Sequence, residues 1–411
     1  MRILLLTSYF PPDTGSAATL FHELGSALAR RGHAVTVVTS MPAYHARGDV
    51  RRYRRRVWMT EAMDGMAVVR VATPARAKRT MFGRAVWQLV SAAAFIAAAI
   101  AQPKADVSIV YSPPLPLGIT GWLLHRLRGT PFVLNVQDLF PQSAIDLGML
   151  KNRLVISVLR AMERFLYARA ASIAVHSGGN REHVVAQGIS DDRVSVVANW
   201  VDTRLVRPGD RLRPFREQHG IDDRFVVSFA GILGYAQDLD VVLEAAAELD
   251  ERVHLLWLVV GDGVERPRLV AKAARLGLKN MRFLPMLPRN EYVLMLQASD
   301  VGLATLRAEV TTPVVPSKII SVMAAGLPVL GAFPLDGDAA ALIDDARCGI
   351  CVEPGDAQGM ANAAARLASD PALCRELGQH GRRYVEEHFS VERAASQYET
   401  IAEKAVGRFK G

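Results

Sequence analysis

Short apolar runs that alternate with helix-length amphipathic stretches constrain this chain more than any other feature. Residues 2–7 read Arg-Ile-Leu-Leu-Leu-Thr, which is strand length and apolar enough to be buried on both faces. A helix is predicted over about 17–31, with Leu20, Phe21, Leu24, Ala27 and Leu28 on its apolar side. Gly32 ends it, and 34–39 forms the next strand, completing a βαβ unit. Strands at 106–111, 131–136, 172–175 and 194–197 continue the pattern, with helices over about 117–128 and 152–170 between them. The stretch 203–213, with Pro208 and Gly209, reads as a linker. A second set follows, with strands at 225–230, 255–260, 281–283, 301–304 and 349–352, and the chain ends in helices. Such alternation predicts an α/β protein built as two doubly wound, Rossmann-like domains facing across a cleft. The expected domains are 1–204 and 205–390, with a terminal helix over 391–411 packing back on the first.

The length, 411 residues, supports two real cores, and 50% hydrophobic with 22% charged residues is a globular balance. A formal charge of +8 leaves three classes of partner open: nucleic acid, an anionic membrane surface or an anionic substrate. Three cysteines make no disulfide framework and fit a reducing compartment. Cys348-Gly-Ile-Cys351 has redox or zinc spacing, but no second Cys or His pair accompanies it, so buried structural thiols are expected. The first apolar run breaks at Pro11-Pro12 without a cleavage pattern and reads as a strand, not a signal peptide. No H-E-x-x-H, P-loop or G-x-S-x-G motif occurs, which argues against a zinc protease, a Walker-type ATPase and an α/β-hydrolase.

Sites in open α/β sheets lie at the carboxyl ends of strands. Residues 309–331 read as a loop kept out of helical geometry by Pro313 and Pro316, then a short helix, then a strand. Ser317 is predicted as its N-cap, and Gly326 with Pro328 as its end. Lys318 at a helix N-terminus opposes the macrodipole, and an anion shared by both is the simplest account. A diphosphate fits; an ordinary capped helix with a surface lysine is the alternative. Two glycine turns, at Gly231 and Gly261, end strands of the same domain and suit close approach of phosphate and sugar. Gly15 allows similar approach in the first domain, or is a simple turn glycine, and its loop lacks the G-x-G-x-x-G dinucleotide fingerprint. Asp138, delivered by the strand 131–136, is a site carboxylate or a turn residue.

Arg47, Arg51, Arg52, Arg54, Arg55 and Arg56 crowd into ten residues around Tyr53, with Trp58 just after and Arg76, Lys78, Arg79 and Arg84 beyond. Residues 85–101, with Trp87, carry no charge; they are marginal in length for a bilayer span and rich in alanine. Arginines with few acidic neighbours beside such a helix are the signature of docking on an anionic leaflet. A core helix with a solvated basic loop is the alternative, and nucleic acid is disfavoured because no binding motif accompanies the cluster.

Taken together, the motifs resemble the retaining glycosyltransferases of family four, which have the GT-B fold. The resemblance covers nearly the whole chain. It rests on Ser8 to Gly15 before Gly32-His33-Ala-Val, Asn199 to Asp202, Ala230 to Asp238, Val260 to Gly263, Ala298 to Leu303 and Pro316 to Val329. The segments Ser112-Pro-Pro-Leu-Pro, Gln137-Asp-Leu-Phe-Pro and Val315-Pro-Ser-Lys look most like enzymes of bacterial O-antigen, capsule and exopolysaccharide synthesis, including fucosamine-type transferases. The resemblance implies a nucleotide-sugar donor, a UDP-linked N-acetylated amino sugar, and a polyprenyl-diphosphate-linked acceptor. It implies no metal, and a cytoplasmic enzyme held peripherally on the inner face of the plasma membrane. The donor would meet Gly231, Gly234, Gln237, Gly261, Asp262, Phe283, Leu284, Pro285, Ser317, Lys318, Ile319 and Ser321. Gly15 and Ser16 would admit acceptor or phosphate, and Arg51, Arg52, Arg54, Arg55, Arg56, Trp58, Arg79, Arg84 and Trp87 would face the membrane. Lys318, Asp138 and Glu309 stand where catalytic groups are expected, although the family's two glutamates align with Pro313 and Ser321, not Glu309. The family's basic pair after the first strand of the second domain is replaced near Ile232 and Gln237. A nucleotide-sugar epimerase of the same shape, or a non-catalytic nucleotide- or membrane-binding protein, are the rival readings.

Overall fold

The computed structural model describes residues 1–42, 50–53, 55–73, 81–209, 213–249 and 254–410. The chain divides into two compact units, Met1–Ala198 with Val391–Gly411, and Asn199–Ser390. In the first, eight strands form one sheet: β1 (Arg2–Leu6), β2 (Ala34–Ser40), β3 (Trp58–Met63), β4 (Met66–Val71), β5 (Val107–Ser112), β6 (Phe132–Val136), β7 (Ser172–Val175) and β8 (Val194–Val196). Their order is β3-β4-β2-β1-β5-β6-β7-β8, parallel except for the antiparallel β3–β4 hairpin. The order reverses between β1 and β5, the position where doubly wound sheets open a ligand crevice.

The second unit repeats the plan with β9 (Phe225–Ile232), β10 (Leu255–Asp262), β11 (Met281–Leu284), β12 (Val301–Thr305), β13 (Val329–Ala332) and β14 (Gly349–Val352). Their order, β11-β10-β9-β12-β13-β14, is all parallel, with its reversal between β9 and β12. Alternation along each strand builds two cores. Val226, Leu256, Leu258 and Val260 pack on one face of the sheet, and Val227, Phe229, Leu255, Trp257 and Val259 on the other. The strands are apolar throughout because both faces are covered by helices. Cys348 is buried in the first of these cores, and burial pushes its thiol, and that of Cys351, up to about 12. Both therefore stay protonated at neutral pH.

The arginine-rich segment departs from the reading of unpaired charges. Tyr53 is buried, and the guanidiniums of Arg52 and Arg70 lie 4.7 and 5.1 Å from its ring centroid. Arg52 bonds Glu61 at 2.8 Å and fully buried Arg70 bonds the same carboxylate at 2.5 Å. Glu61 lies on β3, so the partner of Arg52 comes from a hairpin that local sequence pattern did not announce. Arg55, Arg56 and Trp58 are exposed, whereas Arg54 and Arg79 lie outside the described residues. Met81–Ile100 is one helix, which buries Phe95, Ala98 and Ala99 in the core of the first unit. The side chains of Arg84 and Trp87 are outside the description. Among the described residues, no helix is long and apolar enough to cross a membrane.

The terminal helix Val391–Lys410 returns to the first unit and buries Ala394, Ala395, Tyr398, Ile401, Ala402 and Ala405, a helical-period stripe. Its Tyr398 hydroxyl accepts from the Asn135 amide at 2.6 Å, and Asn135 Oδ1 accepts from Gln137 at 2.8 Å. Glu399 accepts from Arg31 Nε at 3.0 Å and meets His33 at 2.8 Å. Replacing Tyr398 with Phe strands the buried Asn135 amide, and we expect urea unfolding to show a loss of about 1–2 kcal/mol. An unchanged midpoint would mean that this hydrogen bond does not hold the helix.

Candidate functional site

In the second unit, three sequence-predicted features converge at the carboxyl edge of the sheet. The register pairs Gly231 of β9 with Gly261 of β10. At Gly261, φ is +153°, and a Cβ would lie 1.9 Å from the Gly231 carbonyl oxygen, so only glycine fits. The helix Ser317–Ala324 follows β12, across the reversal from β9. It buries Ile319, Ile320, Val322 and Met323 in one core, while Phe229 belongs to the other. Lys318 reaches across the end of β9 between them. Its Nζ lies 4.2 Å from the Phe229 ring centroid, and its Cε would be 3.5 Å from a Cβ at Gly231.

That ammonium has no carboxylate within ion-pair distance among the described residues. Desolvation lowers its pKa to about 8, with no opposing acidic neighbour, although the residue is half-buried and keeps some solvent-exposed surface. The ring face of Phe229 offers some compensation, since an aromatic quadrupole attracts a cation. The helix start differs from the predicted one. Pro316 holds the N-cap position, Ser317 is the first helical residue, and no side chain caps the helix. Pro316, directly before Ser317, ends the loop and takes the N-cap position, so the start is shifted by one residue. Gly326 takes the left-handed position after the C-cap, as expected, and the Leu327 N–H reaches Val322 O at 3.2 Å. Ser321 hydrogen-bonds Tyr292.

The surrounding loop is ordered by its own contacts. Gln237 Oε1 accepts from the Gly234 N–H at 3.2 Å, and Asp262 Oδ1 from the Gly263 N–H at 2.8 Å. Phe283 and Leu284 close the edge strand β11, and exposed Pro285 follows. Arg307, which sequence reasoning missed, donates its N–H to Ala236 O at 3.0 Å and lies 4.0 Å from Asp238. Its guanidinium also lies 3.8 Å from Asp240, so it is engaged with acidic neighbours at the end of β12. Burial raises the carboxyl of Asp238, Arg307 opposes this, and Glu309 is among the charges that add to it. Glu309 itself is exposed in a turn.

The first unit presents its own polar row, carried by neighbouring strands. Gly15, with φ +133° and open space where a Cβ would go, precedes the helix Ser16–Arg30 after β1. Tyr111 is the penultimate residue of β5, Asp138 follows β6 and His176 follows β7. His176 Nε2 is 2.8 Å from the Gln137 carbonyl oxygen. A carbonyl can only accept, so Nε2 carries the hydrogen. The surrounding protein raises the Asp138 carboxyl by desolvation although the residue keeps solvent-exposed surface, and His176 opposes the rise. Burial, then Asp138, push the Tyr111 phenol up. His176 and Phe229 carried no sequence signal of their own; each gains meaning only from the strand beside it.

A desolvated lysine without a counter-charge destabilises the unliganded fold. Below pH 8 it is protonated folded and unfolded, and the full penalty applies. Between about 8 and 10.5 the folded state loses the proton first, the unfolded state binds more protons, and stability rises with pH. We therefore expect Lys318→Met to be more stable than the parent by on the order of 1–3 kcal/mol at pH 7, with the gap closing above pH 8. A gap that is absent, or independent of pH, would contradict desolvation of the charge.

Comparison with known proteins agrees with the fold. The family model "Glycosyl transferase 4-like domain" matches residues 15–200, and "Glycosyl transferases group 1" matches 213–384. The putative colanic acid biosynthesis glycosyl transferase WcaI of Escherichia coli (strain K12) is 25% identical over 338 residues, 79% of this chain and 82% of that one. Among solved structures, sucrose-phosphate synthase from Thermosynechococcus elongatus matches with a TM-score of 0.80 at 18% identity over 99% of both chains. Anabaena HepE in complex with UDP-glucose matches at 0.73 and 17% identity over 98% of this chain and 100% of that one. Such structural likeness speaks to the fold, and the two family models together span most of the sequence. The chain belongs to the family-four glycosyltransferases and has the GT-B fold.

Proposed function

We propose that the chain moves a sugar from a UDP-linked donor to a polyprenyl-diphosphate-linked saccharide in bacterial surface polysaccharide synthesis, with retention of anomeric configuration. The observation that carries the reading is the Lys318 ammonium, half-buried against Phe229 and Gly231 with no carboxylate in ion-pair distance among the described residues. An anionic leaving group would complete it. The name of the WcaI relative supports polysaccharide synthesis, and the UDP-glucose complex of HepE supports a UDP donor. Resemblance of the 112–116, 137–141 and 315–318 segments favours an N-acetylated amino sugar of the fucosamine type.

As the bond to the anomeric carbon breaks, that carbon gains positive character and the diphosphate gains negative charge. Fixed positive charge aimed at the leaving group is the protein's largest lever. Lys318 and the uncapped start of its helix supply it, so the reading calls for no metal. The acceptor hydroxyl attacks from the face that the diphosphate leaves, and a leaving phosphate oxygen takes its proton. Asp138, with His176 beside it, orients that hydroxyl in the first unit. The open position at Gly15, ahead of Ser16, admits the acceptor or a donor phosphate. Glu309, exposed in its turn, takes no part in bond making. Exposed Arg55, Arg56 and Trp58 favour contact with an anionic bilayer, on the cytoplasmic face of the plasma membrane.

Assay of UDP-sugars with a lipid-linked acceptor tests the reading. Lys318→Ala is expected to lower turnover by about 10²-fold or more, the scale of one lost transition-state donor. Glu309→Gln is expected to change it less than about threefold. Full turnover in Lys318→Ala would remove the leaving-group role. A new free sugar formed from the donor without acceptor would point to the epimerase reading instead.

A further inference from the structure

We propose that an arginine-lined cavity on the helix Arg153–Arg169 binds the phosphate of an anionic membrane lipid, with an apolar crest beside it entering the bilayer. The proposal rests on the membrane-associated reading above and gives it a second surface in addition to exposed Arg55, Arg56 and Trp58. The cavity, of about 440 Å³, is lined by Ile145, Arg153, Ile156, Ser157, Arg160 and Arg164. At 3.6 residues per turn, Arg153, Ser157, Arg160 and Arg164 fall in one stripe of the helix. Leu154, Val158 and Ala161 fall in the adjoining stripe.

Two observations separate this surface from an ordinary solvated helix face. First, the guanidiniums form no ion pair of contact distance among the described residues, although Arg160 and Arg164 feel the charge of Glu163. The Gln142 side-chain oxygen accepts from Arg160 at 3.1 Å, and the same side chain donates to Asp146 at 2.7 Å. The nearby carboxyl of Glu163 is buried and accepts from Tyr167 at 3.0 Å. Burial raises its pKa, and Arg160 and Arg164 only partly offset this. Three like charges around one cavity repel unless an anion lies among them, and guanidinium geometry matches phosphate. Second, Leu154 is 79% exposed, Val158 62% and Met149, just before the helix, 67%. Large apolar side chains gain nothing from water, and next to basic residues they suit the headgroup and acyl boundary. By contrast, Arg52 in the basic loop already has Glu61. Gln142 follows Asp138 by four residues, so Arg160 also ties the cavity to the segment that carries the acceptor-site carboxyl.

The test is pelleting of the full chain with phosphatidylcholine vesicles, with and without phosphatidylglycerol. The parent protein is expected to bind only the anionic vesicles. R153Q/R160Q/R164Q should weaken partitioning by about 10²-fold. L154S/V158S should weaken it by about tenfold. All five positions are solvent-exposed or line the open cavity, and an unchanged melting temperature verifies folding. UDP-induced thermal stabilisation, measured in parallel, should persist in both variants. Its absence in the parent would count against the donor reading and leave this surface standing. Equal binding to both vesicle types, no binding by the parent, or parental binding by the arginine variant would each overturn the proposal.

Discussion

The ammonium of Lys318, desolvated and half-buried with no carboxylate partner among the described residues, is the constraint around which the second unit is arranged. An isolated charge in a protein interior is costly, and here desolvation alone lowers the pKa to about 8. What surrounds it is the minimum that keeps it charged and reachable. Phe229 presents a ring face, Gly231 removes a side chain from its path, and the glycine at 261 lets β10 press against the Gly231 carbonyl. The helix that carries Lys318 is anchored by Ile319, Ile320, Val322 and Met323, and these fix where the lysine starts. The apolar core thus holds a charge that the core itself does not neutralise. A diphosphate leaving group would do so only while bound, which is the differential interaction that catalysis needs.

The first unit is organised differently. Its polar groups are shared among secondary elements. Tyr398 of the terminal helix holds Asn135, Asn135 holds Gln137, and the Gln137 carbonyl fixes the hydrogen of His176 beside Asp138. The last twenty-odd residues therefore help fix the end of the strand that precedes Asp138, more than two hundred residues earlier. A second chain, from Arg52 through Glu61 to Arg70 and the Pro11 carbonyl, braces the loop ahead of Gly15. Charges that look free in sequence are spent here on positioning backbone.

Much of this was legible in the sequence. Continuous apolar runs separated by periodic helices gave both parallel sheets, because doubly covered strands leave no other pattern. Gly231, Gly261 and Lys318 could be grouped because all three follow strands of one sheet, and such ends are neighbours. What escaped was contact made across strands or across many residues. Phe229 is an ordinary strand residue until Lys318 bends over it. Glu61 neutralises Arg52 through a hairpin whose strands alternate too weakly with apolar residues to stand out. Arg307 reaches Asp238 and Asp240 from the end of a different strand. Ser317 looked like a cap because the prolines before it hid the true helix start. The arginines at 153, 160 and 164 gave no signal in the sequence, since only the folded helix shows that they line one cavity without an ion pair among the described residues.

The central claim is that Lys318 waits for a phosphate, and its own titration tests this most directly. With lysine side chains labelled at Cε, NMR should follow Lys318, identified by its absence in Lys318→Met, through a pH series with and without UDP. The account predicts a midpoint near pH 8 in the free protein. With UDP bound, the midpoint should rise by about 2 units or more, since an opposite charge within contact distance favours the protonated form. A midpoint that UDP leaves unmoved would contradict it.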